Sequence, residues 1–487
     1  MRPENVSRTV LASGVGAVLA ATALLYVPEL AGRSAPPPPG PAERAAHAAT
    51  AGAQAALPDL VALIGDREKW LRAHPGDAAS WAVLGSAYTE RALRRADPAD
   101  LPRAEAALKR APGSLDAQVG MAALANARGD WAAGRAWGER VRKADPKRWS
   151  AYPVLIDAYN GLGDYKAAGK AAETLAELHT GAAVSGRSAQ LYRDRGWRED
   201  AGAAALDAVA LAETGAEKAV ALSRLGDLAW ERGEPAEALA QYGAALGLVG
   251  DHGPALAGRA RARAALGRTE EAVRDWRAAI GRLPLPGYLL EAGELAESLG
   301  RDGEARGLYE RLRAGRWPGA EVELGLLDAD HGDPAAAVRR LRAAWAGGHR
   351  SVRVADALGW ALYRSGEPKE ALEYAKRATD EGLRSALFAY HRAEIERALD
   401  ALGPARRHLA EALRTNPYFS PLLAPRAKEA VAALGDFPDE LPKDARPAEE
   451  SAGATAGGAT AGGATAGGAT AGVGGAGAAP VAASGTA

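Results

Sequence analysis

The side chains able to do acid–base, nucleophilic or metal chemistry are scattered along this chain rather than grouped. Its eight His show no pair at metal-ligand spacing on one helix, and it contains no Cys. It has no phosphate-binding loop, no dinucleotide-binding glycine motif, no nucleophile elbow and no zinc-protease motif. Carboxylate pairs such as Glu294 and Glu297 lie one helical turn apart, which is typical of a solvated helix face. We therefore predict no catalytic residue, no cofactor and no metal. An enzyme with an unrecognised catalytic segment is an alternative.

Composition excludes several classes of protein. The chain has 487 residues, and its 60 Lys and Arg against 61 Asp and Glu give no global reason to bind nucleic acid. The absence of Cys excludes disulfide frameworks, iron–sulfur clusters and thiolate zinc sites. Aromatic residues make up only 6% of the chain, while Gly alone numbers 58. Such a chain is expected to pack by close approach of small residues, and its richness in Arg, Ala and Gly points to a GC-rich bacterial genome.

Glycines at a near-constant interval are the strongest pattern in the sequence. They are Gly129, Gly163, Gly196, Gly233, Gly267, Gly300, Gly332, Gly366 and Gly403. Apolar residues at three- and four-residue spacing precede them, as in an amphipathic helix. Gly tolerates the left-handed conformation that ends a helix, and a second helical segment follows, for example residues 270–283. Each repeat is therefore predicted to be a helical hairpin whose apolar face only the next hairpin covers, which produces a solenoid.

Four segments of the repeats resemble the tetratricopeptide family. They are WAVLGSAY (81–88), YPVLIDAYNGLGDYKAA (152–168), LSRLGDLAWERGEPAEALAQYGAAL (222–246) and LGWALYRSGEPKEALEYAKRA (358–378). Trp81, Leu84, Gly85 and Tyr88 match the first half of the family pattern, W-x2-L-G-x2-Y. The resemblance covers roughly residues 60–416. It implies an all-α, right-handed α-solenoid of about ten hairpins, with helices near residues 57–77 and 425–437 capping its ends.

In proteins of this family, residues just after the small position of each first helix, and one turn on, point into a concave groove. Mapped onto this chain, the predicted partner-binding residues are Asn126, Asp157, Asn160, Gln190, Arg193, Asp227, Trp230, Arg261, Glu294, Glu297, Trp360, Tyr363 and Arg364. Aromatic residues and Arg dominate binding hot spots. The mixture with Asn and Asp predicts polar recognition of an extended peptide with a few apolar anchors, rather than a purely basic clamp for a C-terminal carboxylate. Alternatively, Trp230, Trp360 and Tyr363 fill the inside of a tightly wound superhelix instead of standing exposed.

The N-terminal residues predict a membrane segment. Residues 9–28 are an uncharged run that would span about 30 Å as a helix, the thickness of a bilayer core. Arg2 and Arg8 precede this run, so the positive-inside rule places residues 1–8 in the cytoplasm and the following residues outside. A signal peptide cleaved near Ala21-Thr22-Ala23, which would leave a secreted protein, and a cytoplasmic protein are the alternatives.

Composition shifts divide the rest of the chain into three parts. Residues 29–57 contain a Pro run and predict an extended Pro- and Ala-rich linker. Residues 58–437 carry the repeats and their capping helices. Residues 438–487 contain four copies of GATAG and no large apolar cluster, so we predict a disordered tail.

The sequence thus predicts a non-enzymatic protein–protein interaction scaffold of the bacterial cell envelope. It would be a single-pass membrane protein with its solenoid on the extracytoplasmic side. The expected partner is a protein or an extended peptide, and neither nucleic acid nor a small-molecule substrate is expected. As an alternative, residues 71–92 resemble the first repeat of membrane-tethered cytochrome c maturation factors, which hold apocytochrome for haem attachment.

Overall fold

The computed structural model describes residues 38–435, and all its regular structure is helical. The helices are α1 (Pro41–Thr50), α2 (Leu57–Ala73), α3 (Ala78–Arg95), α4 (Leu101–Leu108), α5 (Leu115–Ala127), α6 (Trp131–Ala144), α7 (Ala151–Leu162), α8 (Tyr165–Leu178), α9 (Ala182–Asp194), α10 (Arg198–Ala210), α11 (Gly215–Glu231), α12 (Pro235–Leu248), α13 (Gly253–Ala265), α14 (Thr269–Arg282), α15 (Pro286–Ser298), α16 (Asp302–Ala314), α17 (Glu321–His331), α18 (Pro334–Ala346), α19 (Val352–Arg364), α20 (Pro368–Asp380), α21 (Ala386–Ala398), α22 (Leu402–Thr415) and α23 (Leu423–Leu434). A short 3-10 turn at Pro98–Asp100 separates α3 from α4. The described range contains no strand, which confirms the predicted all-α class.

Several predicted segments lie outside the described residues. These are residues 1–8, the membrane segment 9–28, the first part of the linker and the tail 438–487. Among residues 38–435, no helix is both long and apolar enough to cross a bilayer. The membrane segment and the tail therefore stay predictions.

The helices pack in pairs along the chain. From α3 and α4 through α21 and α22, each neighbouring pair forms a hairpin, which gives ten hairpins as predicted. In most steps the first helix of a hairpin also packs against the first helix of the next hairpin. The result is an inner layer of first helices and an outer layer of second helices, with α2 and α23 at the predicted capping positions. The handedness of the solenoid stays a prediction.

Seven of the nine predicted hinge glycines take a left-handed φ between 68° and 88°. They are Gly129, Gly163, Gly196, Gly233, Gly267, Gly300 and Gly366. Gly332 has a φ of −151°, and Gly403 lies inside α22. At that turn Asp400 takes a φ of 58°, and Ala96 takes a φ of 48° after α3. The predicted hinge at Gly403 is therefore wrong, because the left-handed residue falls three positions earlier, on an Asp that tolerates this conformation better than most residues.

Small residues on the first helices receive large side chains from the second helices. A Cβ built on Gly226 would lie 2.6 Å from the ring of Tyr242, and one on Gly258 would lie 2.2 Å from it. Gly293 stands in the same relation to the ring of Tyr309, at 2.3 Å. Tyr242 is completely buried. This packing explains why a small residue recurs at one position of the repeat and why the core is thin but continuous.

Part of the predicted linker, residues 29–57, is helical where the structure describes it. Pro41 begins helix α1, where its missing N–H costs nothing, and the Ala-rich residues that follow favour a helix. Ala45 is buried, and Arg44 donates to both carboxylate oxygens of Asp59 in α2, at 2.6 and 2.9 Å. The packed part of the chain therefore begins before residue 58.

Candidate functional site

Ion pairs join consecutive hairpins along the inner layer of helices. The pairs are Asp157 with Arg187, Glu231 with Arg193, Glu291 with Arg261, and Glu323 with Arg353. The closest N–O distance is 2.7 Å in the first pair and 2.9 Å in the last. Each pair links one first helix to the first helix of the next hairpin, so these charges fix how neighbouring repeats sit against each other. These eight charged side chains of the inner surface are thus already paired within the protein itself.

Two of these arginines show how the pairs hold their charge. Burial alone would lower the pKa of Arg193, but the charge and hydrogen bond of Glu231, with the charges of two nearby aspartates, together outweigh burial and raise the pKa above its usual value. Burial likewise lowers the pKa of Arg261, and the charge of Glu291 raises it. The pKa of Arg261 therefore also lies above its usual value. Both guanidinium groups therefore stay charged inside the solenoid.

Three cavities follow the inner layer. Their volumes are about 730, 660 and 390 Å³, and Gln190 lines all three, so they meet at this side chain. We call the three together the interior channel. Eight of the thirteen predicted partner-binding residues line it. They are Asp157, Asn160, Gln190, Arg193, Asp227, Trp230, Arg261 and Glu294.

Later hairpins close the channel on one side. The hinge of an early hairpin meets a loop between two hairpins about 190 residues later in the chain. The backbone N–H of Arg350 donates to the carbonyl of Gly161 at 3.0 Å, and the backbone N–H of Val352 donates to the Tyr165 hydroxyl at 2.7 Å. We call this line of contacts the seam.

Glycines allow the closest approaches along the seam. A Cβ on Gly129 would lie 3.2 Å from the Cα of Gly319, and one on Gly196 would lie 2.3 Å from the carbonyl oxygen of Gly382. A side chain at Gly196 would force the two turns of the superhelix apart, whereas one at Gly129 would require only a small shift. The seam therefore depends on glycine where the approach is closest.

The loop before α23 completes the wall of the channel. The side-chain amide of Asn416 donates to the carbonyl of Trp230 at 2.8 Å. Phe419 lines both larger cavities, and the Ser420 hydroxyl lies 3.5 Å from a carboxylate oxygen of Glu294. The largest cavity thus lies between the first helices α11, α13 and α15 and this later loop.

Glu294 is the most perturbed acid of the channel. Burial, followed by the charges of Glu291, Asp330 and Glu297, raises the pKa of Glu294 to about 8. Its contact with Ser420 opposes this shift only weakly. The carboxyl is therefore mostly neutral at pH 7, and the channel has an acidic region whose charge is not fully balanced.

The other five predicted residues do not line the channel. Asn126 donates to the carbonyl of Val154 at 2.9 Å, so it joins two hairpins. Glu297 accepts a hydrogen bond from the Tyr309 hydroxyl at 3.0 Å. Arg364 lies 3.4 Å from a carboxylate oxygen of Asp330 on the preceding hairpin. The last two are the aromatic residues Trp360 and Tyr363.

Trp360 is buried, with 2% of its surface exposed. Its indole N–H donates to Asp330 at 3.0 Å, and its ring stacks on His391 with 4.1 Å between centroids. The expectation that Trp360 stands exposed in a groove is therefore wrong, because its ring fills the space between hairpins. Tyr363 and Trp230 are half-buried.

The histidines of the C-terminal hairpins pair with separate carboxylates. His391 is buried and lies 2.9 Å from Asp356, while His408 lies 2.7 Å from Glu396. Within the described range no group of three or more His, Cys, Asp or Glu is placed to hold a metal ion. These pairs tie neighbouring helices together.

Mapping from the sequence missed part of the channel wall. Arg224 lies two residues before the small position Gly226, outside the mapped window, and Phe419 belongs to a loop far along the chain. No local pattern reveals which distant loop the superhelix brings back. The signal in the sequence that two distant turns of the superhelix approach each other was the glycines in the loops between hairpins, such as Gly348 and Gly382.

Comparison with known proteins gives distant structural likeness only. No protein-family model and no curated protein matches the chain. A tetratricopeptide repeat protein from Parabacteroides merdae is 18% identical, over 51% of this chain and 96% of its own, with a TM-score of 0.32. The human IFIT1 dimer with PPP-AAAA is 12% identical, over 73% of this chain and 89% of its own, with a TM-score of 0.43.

The APC/C hetero-tetramer Cut9–Hcn1 is 16% identical over 73% of this chain, with a TM-score of 0.37, and the chain spans only 63% of that protein's length. TM-scores below 0.5 are too low to support a fold or a function. The description of this chain as a solenoid of helical hairpins therefore rests on its own helices, hinges and packing.

Proposed function

We propose that this protein is a non-enzymatic scaffold that binds a segment of a partner protein in its interior channel. The observation that carries the proposal is the channel itself, which places Trp230, Phe419 and a set of Arg and carboxylate side chains on one continuous inner wall. A cavity of about 730 Å³ has the size of a binding pocket for a few residues. Mixed apolar and charged walls suit a peptide better than a purely apolar ligand.

The seam limits what can reach this wall. Because later loops cover the side of the channel from Gly129 to Gly233, a folded domain has no lateral access there. A chain terminus or an extended tail could enter from an end of the channel. We therefore expect the partner to contribute a flexible segment.

We also propose that residues 9–28 anchor the protein in a bacterial membrane, with the solenoid on the extracytoplasmic side. The uncharged run and the preceding Arg residues support this location, and both lie outside the described residues. Full-length protein should sediment with membranes, and protein lacking residues 1–31 should stay in the soluble fraction. Equal distribution of the two would exclude the anchor.

Blocking the channel tests the function. Gln190→Trp places a large ring where the three cavities meet, and Glu173→Trp adds the same ring at an exposed position of the outer helix α8. In affinity capture from detergent-solubilised membranes, we expect the partner to remain with the wild type and with Glu173→Trp, and to be lost with Gln190→Trp. A partner that Gln190→Trp retains equally would place the interface outside the channel.

A further inference from the structure

The smallest of the three cavities, about 390 Å³, lies among helices α7, α9 and α11 and the loop Gly52–Gln54. Arg224 lines this cavity and the largest one. Asn160 lines this cavity and the second one. These two side chains therefore stand at the junction of the channel.

Arg224 is a cation without a protein partner. The neighbouring arginines are paired, Arg187 with Asp157 at 2.7 Å and Arg193 with Glu231. The guanidinium of Arg224 makes no hydrogen bond or ion pair with any described residue, and its Nη1 is buried. A buried donor left unpaired is costly, so a native structure normally supplies a partner from solvent or a ligand.

The nearest carboxylates already serve other donors. Asp194 accepts a hydrogen bond from the Gln190 amide at 2.9 Å, and Asp227 accepts one from the Tyr242 hydroxyl at 2.7 Å. Burial raises the pKa of both acids. Burial lowers the pKa of Arg224 itself, and the charge of Asp227 opposes this shift without reversing it.

Space and a complementary acceptor are present beside the guanidinium. Helix α9 faces Arg224 with Gly186, where even an added Cβ would lie 3.6 Å from Nη1. The Oδ1 of Asn160 is also buried and accepts no hydrogen bond from a described residue. The same cavity thus offers an unpaired cationic donor and an unpaired neutral acceptor.

We propose that Arg224 and Asn160 form a binding site for a carboxylate-bearing peptide segment. Arg224 donates to the carboxylate, and Asn160 accepts a backbone N–H of the same segment. Among the half-buried arginines of the channel within residues 38–435, Arg224 alone lacks an ion pair, so it selects a single acidic side chain or chain end. This inference rests on the proposed function, because it requires that the channel take a peptide.

Two short peptides test this site on the full-length protein in mild detergent. The probes are acetyl-Glu-Ala-Glu-Ala-Glu-amide and its Gln counterpart, with sodium sulfate as a small-anion arm. By titration calorimetry we expect the acidic peptide to bind at least tenfold more tightly than the Gln peptide. Arg224→Gln should abolish this preference.

Two further variants separate a binding role from a folding role. Gly186→Leu fills the space above the guanidinium without changing charge, and we expect the same loss of binding. Arg342→Gln removes a cation of the outer helix α18, one that pairs with Glu370, and should keep the tenfold preference. Circular dichroism must show that each variant is as helical as the wild type.

Several results would overturn the site. Acidic binding that survives Arg224→Gln, or equal binding of the two peptides, would remove Arg224 as the selecting group. If Gln190→Trp abolished that equal binding, the channel function would stand while this inference failed. Sulfate binding that depends on Arg224, with neither peptide bound, would assign the site to small inorganic anions and reject the peptide.

Discussion

At the scale of single residues, Glu294 gives the clearest pH dependence. Its pKa is about 8 in the folded chain against 4.5 as an ordinary side chain, so the folded state binds more protons between these values. The contribution of Glu294 to stability is therefore fully present below about pH 4.5 and is lost as the pH rises to 8.

Glu294→Gln removes this titration. We expect the variant to be as stable as the wild type near pH 5. At pH 8 we expect its free energy of unfolding to exceed that of the wild type by about 1–3 kcal/mol, which is the effect of the raised pKa reduced for screening by solvent. Urea denaturation at the two pH values measures the difference. Glu310→Gln, at an exposed position of α16, is the control and should show no such trend. An equal difference at both pH values would contradict the titration of Glu294.

Residue type and spacing revealed the inner surface but not the partners of its side chains. Arg193 and Arg261 have the type expected of a binding hot spot, yet each pairs with a Glu of the following hairpin. Arg224, which the mapping missed, has a buried Nη1 that makes no such pair. The difference depends on how neighbouring hairpins rotate against each other, and a local pattern does not contain that rotation.

At the scale of helices, close approach around Tyr242 sets the packing of two hairpins. Gly226 and Gly258 both face its ring, and its hydroxyl donates to Asp227. We expect Gly258→Ala to destabilise the protein by about 1–3 kcal/mol, because a Cβ 2.2 Å from a buried ring forces the helices apart. Urea denaturation followed by circular dichroism measures the change.

Gly243→Ala provides the matched control on helix α12. A Cβ at this position would meet nothing within 4 Å, so the substitution should stabilise the helix by about 0.5–1 kcal/mol. If both substitutions raised stability, the ring would be free to move and the packing argument would fail.

The repeat period predicted most helices and hinges because each hairpin is local in sequence. It failed at Gly403, where the chain turns on Asp400 instead, since any residue that tolerates a positive φ can end a helix. It also missed α1, whose contacts with α2 decide that a Pro- and Ala-rich segment is helical rather than extended. Helix propensity alone does not decide whether such a short segment is helical.

At the scale of the described solenoid, the seam has a regular geometry. Residues 129, 163, 196 and 233 meet residues 319, 350, 382 and 416, so the separation stays between 183 and 190 residues. One superhelical turn thus takes about five and a half hairpins of the roughly 34-residue repeat. Small rotations between neighbouring hairpins add up over one superhelical turn. A local sequence pattern does not contain these rotations, so the sequence left open whether the inside is an open groove or a closed channel.

A disulfide across the seam tests whether a partner enters from an end. The chain has no Cys, and the Cβ positions of Gly129 and Gly319 lie 3.2 and 3.8 Å from the opposite Cα. The two Cα atoms therefore lie within the roughly 7 Å beyond which cysteines cannot be joined without backbone movement. We expect the oxidised double variant Gly129→Cys, Gly319→Cys to capture the partner as well as the reduced form does, since the seam need not open. Each single Cys variant controls for the strain of a side chain at a positive φ. Loss of capture on oxidation and recovery with reductant would mean that the seam opens to admit the partner from the side, and the channel would then act as a closing groove.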